Sequence, residues 1–123
     1  MYEVLGACGI AVDVELSWAR GWFLRYQLPD GGLNCDEAVY LRPDPHASMV
    51  STLPALEALL SAGPLPLAPA EEAFLARGVA YLLRRKLCRS LSKGGAIIDA
   101  AWLLPTFPRF YDYDVLRGLA LVV

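Results

Sequence analysis

Apolar residues recur at helical spacing in four stretches of the chain, separated by polar segments rich in glycine and proline. From about Asp13 to Leu28, Leu16, Ala19, Phe23 and Tyr26 share one helix face, and Trp18 and Trp22 lie on an adjacent one. Pro29 and the turn Asp30-Gly31-Gly32 stop that helix. A polar loop with Pro43 and Pro45 follows, to about Ala47, and a second helix runs to about Ala62 with Leu53, Leu56, Leu59 and Leu60 in one stripe. Proline is tolerated in the first turn of a helix, so Pro54 places the start at Ser51 or Thr52 as N-cap; a start near Ala47 would require a kink. Gly63-Pro64 ends this helix, and the proline-rich connector to Pro69 is stiff. A third helix, from about Pro69 to Arg89, has a core face of Leu75, Val79, Leu82, Leu83 and Leu87. Ser90 to Tyr111 reads as mostly irregular, with Gly94-Gly95 and a short apolar stretch from Ala96 to Leu104. A fourth helix starts near Asp112 or Tyr113 and carries Leu116, Leu119 and Leu121.

The pattern predicts an all-α fold in one domain over residues 1–123: four main helices in two helix-loop-helix units. Units of this length point to a repeat architecture, because a lone helix pair cannot bury its apolar faces without neighbours. The fourth helix runs to Val123 with no glycine, basic cap or polar tail. The expectation is a fragment of a longer protein, or a terminus that packs into the core or a partner.

Composition sharpens this. Apolar residues make up 56% of 123 residues, and the mean hydropathy is +0.40, which implies a very apolar core or apolar surface covered by a second copy. A formal charge of −2 offers no field for nucleic acid. Arg84, Arg85, Lys86 and Arg89 close a helix that opens with Glu71 and Glu72, which complements the helix dipole; the alternative is a phosphate- or partner-binding patch. Cys8, Cys35 and Cys88 make no disulfide framework, which fits a cytoplasmic protein. No apolar run is long enough to span a bilayer.

The stretch Gly21-Trp22-Phe23-Leu24-Arg25-Tyr26-Gln27-Leu28-Pro29-Asp30-Gly31-Gly32 resembles the repeat of the prenyltransferase and squalene-oxidase superfamily, where an aromatic-rich helix ends in Gln shortly before Asp-Gly-Gly. Ser48 to Leu59 is similar to the inner helix that follows, and Phe107 to Leu119 to the next loop and helix start. The likeness is to a bacterial branch of these toroid proteins. The resemblance implies an α/α toroid of paired inner and outer helices, of which this chain would supply about two repeats. It also implies a terpenoid cyclase- or prenyltransferase-type lineage that binds an apolar, isoprenoid-like ligand. The chain departs from the pattern at Leu33, where the repeat carries an aromatic residue. It lacks the Asp-x-Asp-Asp acid motif, and Cys35 and Asp36 are adjacent and reversed relative to the zinc set of protein prenyltransferases.

Four constellations carry candidate chemistry. Asp30-Gly31-Gly32 is a repeat-joining turn or part of an active site. Asp112 and Asp114, beside Tyr111 and Tyr113, are helix-capping acids or, as catalytic residues, acids able to protonate an alkene. Trp18, Trp22, Tyr26, Phe110, Tyr111 and Tyr113, with Phe23 and Phe107, are core aromatics or the lining of an isoprenoid pocket. Cys35, Asp36 and His46, with Asn34 and Glu37, are solvated loop residues or zinc ligands. The reading predicts no cofactor, with zinc as the alternative. Whether the chain is an enzyme stays open, and the alternative to an isoprenoid-binding toroid is a non-catalytic helical module that self-assembles through apolar helix faces. A toroid acting on glycans would have to use His46, the single histidine.

Overall fold

The computed structural model describes residues 2–61, 66–108 and 112–123, and among them the regular structure is helical, with no strand. Six α-helices follow in order: α1 (Tyr2–Ala7), α2 (Val12–Glu15), α3 (Trp18–Arg25), α4 (Met49–Ser61), α5 (Pro69–Arg84) and α6 (Val115–Val122). Two 3-10 turns, Glu37–Leu41 and Ala100–Leu103, interrupt the loops. Isolated antiparallel bridges join Leu33 to Ser48 and Arg89 to Ile97.

Helix α4 is the centre of the core. It buries Met49, Thr52, Leu53, Ala55, Leu56, Ala58 and Leu59, more than one face of a helix, because both α5 and α1 pack against it. Leu53, Leu56, Leu59 and, from α5, Leu82 have no accessible surface, and each such burial is worth about 1.5–3 kcal/mol. A smaller cluster of Tyr2, Val12, Ala19 and Ala58 seats α1 on the opposite side of α4.

Boundaries and buried faces differ from the sequence expectation. The first expected helix is split into α2 and α3: Leu16 leaves helical geometry (φ −121°, ψ 42°) and packs into the α1 cluster. Helix α4 begins at Met49, so Ser51 and Thr52 lie inside it and Pro54 is an interior proline. Pro54 is exposed, and the Val50 carbonyl that loses its N–H donor belongs to an exposed residue that water can reach. Helix α5 buries Phe74, Gly78, Tyr81 and Leu82, whereas Leu75 and Val79 are half-buried and Leu83 is exposed. Gly78 sets this rotation, since a Cβ there would stand 2.5 Å from Leu56 Cδ2.

Both ends of α5 have identifiable stops. Pro69 opens it, and the Glu71 carboxylate accepts the Ala68 N–H at 2.9 Å. The same carboxylate takes Arg20 Nε at 2.7 Å and so ties α3 to α5. At the other end, Lys86 N–H donates to the Leu83 carbonyl at 2.9 Å and Leu87 N–H to the Leu82 carbonyl at 3.1 Å. Lys86 and Leu87 take φ of +47° and +61°. This is a Schellman closure without its usual glycine, and it ends the helix short of the expected Arg89 by turning Leu87 back into the core.

Candidate functional site

The Asp30-Gly31-Gly32 loop is clamped between the start of α4 and the C-terminal half of α5. Asp30 Oδ1 accepts Gly32 N–H at 3.3 Å, and Oδ2 accepts Ala47 N–H at 2.9 Å. Arg84 donates to the Asp30 carbonyl. Gln27, the residue that precedes the turn, donates through Nε2 to the Gly31 carbonyl at 2.8 Å and the Phe74 carbonyl at 2.9 Å. Gly31 sits at φ +100°, and a Cβ there would meet the Arg77 carbonyl oxygen at 2.5 Å. Gly32 has the same problem with Thr52 Oγ1 and Ala47 Cβ, both at 2.5 Å. Leu33, in place of the aromatic residue, is buried, and its N–H donates to Thr52 Oγ1 at 2.9 Å. The Asp30 carboxylate and the glycine peptide groups of the turn therefore serve backbone junctions.

Asp112 and Asp114 end up in different surroundings. Asp112 is exposed. Asp114 has no accessible surface; it caps α6 by accepting Arg117 N–H at 2.7 Å, and it accepts Thr106 N–H at 3.2 Å. Arg117 in turn reaches Glu57 on α4, Nε to Oε1 at 2.9 Å. The aromatic set also divides. Trp18 is 65% exposed and Trp22 44%; Trp22 packs against Phe23 and Tyr26, and Tyr26 against Tyr40. Tyr113 is buried against Trp102 and donates its hydroxyl to the Leu87 carbonyl at 2.6 Å. Burial raises the Tyr113 phenol, with the Cys88 and Asp114 charges adding to it. Phe110 and Tyr111 lie outside the described residues.

In the 34–46 loop, Asp36 Oδ1 accepts Ala38 N–H at 3.0 Å and caps the first 3-10 turn. Cys35 is exposed, and Asn34 Nδ2 donates to the His46 carbonyl at 3.0 Å. Among the described residues, no three His, Cys, Asp or Glu side chains converge as a metal set. None of the described helices is long and apolar enough to cross a membrane.

A concave site lies elsewhere. A cleft of about 560 Å³ opens between the segment before α4, the end of α5 and the segment 90–102. The first contributes Asp44, His46, Ser48 and Met49, and the second Tyr81 and Arg85. The third contributes Ser90, Ser92 and Lys93 at one end and Ile97, Ile98 and Trp102 at the other. The 90–102 wall is a hairpin: Ile98 N–H donates to the Cys88 carbonyl at 2.9 Å and Ser90 N–H to the Ala96 carbonyl at 2.9 Å. Arg89 Nη1 donates to the Gly95 carbonyl at 2.8 Å and holds the tip. Tyr81 is buried, donates to the Ala47 carbonyl at 2.8 Å, and carries the Arg85 guanidinium 4.6 Å from its ring centre. Burial pushes the Tyr81 phenol up to about 12, with Arg85 acting in the opposite direction. Among the described residues, none of the aromatic and acidic residues singled out by sequence lines this cleft. His46 does, and Arg85 does from within the basic cluster. Ile97, Ile98 and Trp102 came from the apolar stretch whose spacing assigned it to no helix.

Comparison of the chain with protein-family models, with curated proteins and with solved structures finds no match.

Proposed function

We propose that the chain is a small-molecule-binding helical module that seats an apolar-bodied ligand in the cleft between the 44–49 segment, the end of α5 and the 90–102 hairpin. The observation that carries this reading is the cleft itself. Its volume of about 560 Å³ falls within the ~300–1,000 Å³ of small-ligand sites, and such sites combine apolar lining with a few placed polar groups. The isoprenoid-like ligand implied by the resemblance to α/α toroids is the first class to test, and the two-repeat toroid belongs to the same proposal. Trp102 reports on the cleft once Trp18 and Trp22, both exposed, are replaced by phenylalanine. Titration of that variant with geraniol and with decan-1-ol is expected to change Trp102 emission with one-to-one saturation. A linear, unsaturable response to both alcohols would refute the reading.

A second reading is self-assembly, favoured by Val14, Trp18 and Trp22, which follow one another at intervals of four residues and are all exposed. Sedimentation of the native chain is expected to show concentration-dependent association that Trp18→Ser with Trp22→Ser abolishes. A monomer at every concentration would remove this reading.

A further inference from the structure

We infer that the cleft takes a singly charged carboxylate, with Arg85 as the group that seats the head and the Ile97–Trp102 end as the wall that seats the apolar body. This rests on the proposed cleft-binding reading and assigns its ligand class. Arg85 has only 15% of its side chain exposed, and its Nε is buried without a hydrogen-bond partner. The nearest anionic oxygen is Asp30 Oδ2, at 3.9 Å, too far for a hydrogen bond. That oxygen already accepts the Ala47 N–H at 2.9 Å. A guanidinium N–H removed from water without an acceptor is costly, and native structures rarely leave one so unless a bound group completes it.

The geometry of Arg85 suits a planar acceptor. The Arg85 guanidinium carbon lies 4.6 Å from the Tyr81 ring centre, a cation–π contact that holds the guanidinium fork against the ring. Donors in that fork match the two oxygens of a carboxylate, and the side chain so held has already lost the rotamer freedom that binding would otherwise cost. The charges of the lining select the same class. Arg85 and Lys93 are positive and Asp44 is negative, with Asp30 3.9 Å from Arg85 and outside the lining, so a monoanion meets two cations and less repulsion from the acids than a dianion would. A phosphate dianion would face Asp44 with twice the charge. Ser90 and Ser92, with hydroxyls 3.2 Å apart, supply further donors at the polar end. The apolar end begins with Ile97, so a ligand with a charged head and an aliphatic or aromatic body spans both.

The test compares three ligands with one tail: decanoate, decan-1-ol and decyl phosphate, titrated below micellar concentration against Trp102 emission in the Trp18→Phe, Trp22→Phe chain. Decanoate is expected to bind about tenfold or more tighter than decan-1-ol, the size of a charge-assisted hydrogen bond, and decyl phosphate no tighter than decanoate. Arg85→Met is expected to bring decanoate down to the alcohol's affinity and leave the alcohol unchanged. The Arg85 Nε–H resonance of the unsubstituted chain is expected to shift with decanoate and not with the alcohol, which decides the matter even if Arg85→Met does not fold. Equal binding of decanoate and decan-1-ol, tighter binding of decyl phosphate, or an unmoved Arg85 resonance would overturn the head assignment alone. Failure of all three ligands to saturate would overturn the cleft reading and this assignment together.

Discussion

Thr52 lies at the junction between the glycine turn and α4, and replacing it by valine removes its hydroxyl at nearly constant volume. Its Oγ1 accepts Leu33 N–H at 2.9 Å and donates to the Ser48 carbonyl at 2.6 Å, and the residue has no accessible surface. After Thr52→Val, the Ser48 carbonyl keeps the Thr52 N–H at 2.9 Å, and the Leu33 carbonyl keeps the Ser48 N–H at 2.9 Å. Only the Leu33 N–H loses its acceptor, and it does so where water cannot replace it. An orphaned buried donor costs about 1–3 kcal/mol. With a urea dependence of about 1–3 kcal/mol per molar for a domain of this size, the unfolding midpoint should fall by about 1 M. Thr52→Ser keeps the hydroxyl and loses one buried methyl, at about 1 kcal/mol. The two variants are distinguished by native-state hydrogen exchange, in which the Leu33 amide is released early in the valine chain and stays protected in the serine chain. A valine variant with the native midpoint and a protected Leu33 amide would show that this hydrogen bond does not hold the turn.

Gly32→Ala places a methyl 2.5 Å from Thr52 Oγ1 and Ala47 Cβ; overpacking of this kind costs about 1–3 kcal/mol, and a calorimetric Tm equal to that of the native chain would contradict the clamp. Lys86→Gly relieves a non-glycine residue at φ +47° in an exposed Schellman turn and should stabilise the chain by about 0.5–1 kcal/mol in urea unfolding; a loss of stability would refute the assignment. Tyr81 should make stability fall with alkalinity. The unfolded phenol ionises near its ordinary value of 10 while the folded one holds its proton to about 12, so between these values the unfolded state binds fewer protons and about 2–3 kcal/mol is lost as pH rises. Tyr81→Phe, less stable at neutral pH for want of the bond to Ala47, should show a shallower decline over that window in urea titrations, and an unchanged slope would count against the burial argument.

The aromatic-rich helix, the glycine turn and the leucine stripe are legible because each follows from local chemistry. Pro29 with Asp30-Gly31-Gly32 ends the helix before it as that cluster of turn residues should, and Asp114 caps α6 by the same local rule that placed a helix start near Asp112 or Tyr113. Less was legible where the deciding partner is distant in sequence. Gly78 carries no apolar signal, yet its missing Cβ lets Leu56 approach and turns Phe74 and Tyr81 into the core. Leu16 breaks a helix that its periodicity would continue, because α1 supplies a surface to bury it. Pro54 sits mid-helix because tertiary packing of α4 outweighs one lost hydrogen bond on an exposed face.

The candidate site shows the same division. The basic cluster Arg84, Arg85, Lys86 and Arg89 reads as a single patch in sequence, and the end of α5 disperses it. Arg84 goes to the Asp30 carbonyl, Arg89 to the Gly95 carbonyl, Lys86 to solvent, and Arg85 to the cleft. By itself, the sequence determined that this chain is helical, that Asp30-Gly31-Gly32 is a turn, and that it has apolar residues enough for a core, since these depend on residue type and short-range spacing. Only the tertiary structure decided which arginine of the basic cluster lines the cleft with a buried, unpartnered Nε and which apolar loop residues share that cleft, because both depend on how α4, α5 and the 90–102 hairpin meet across more than forty residues of chain.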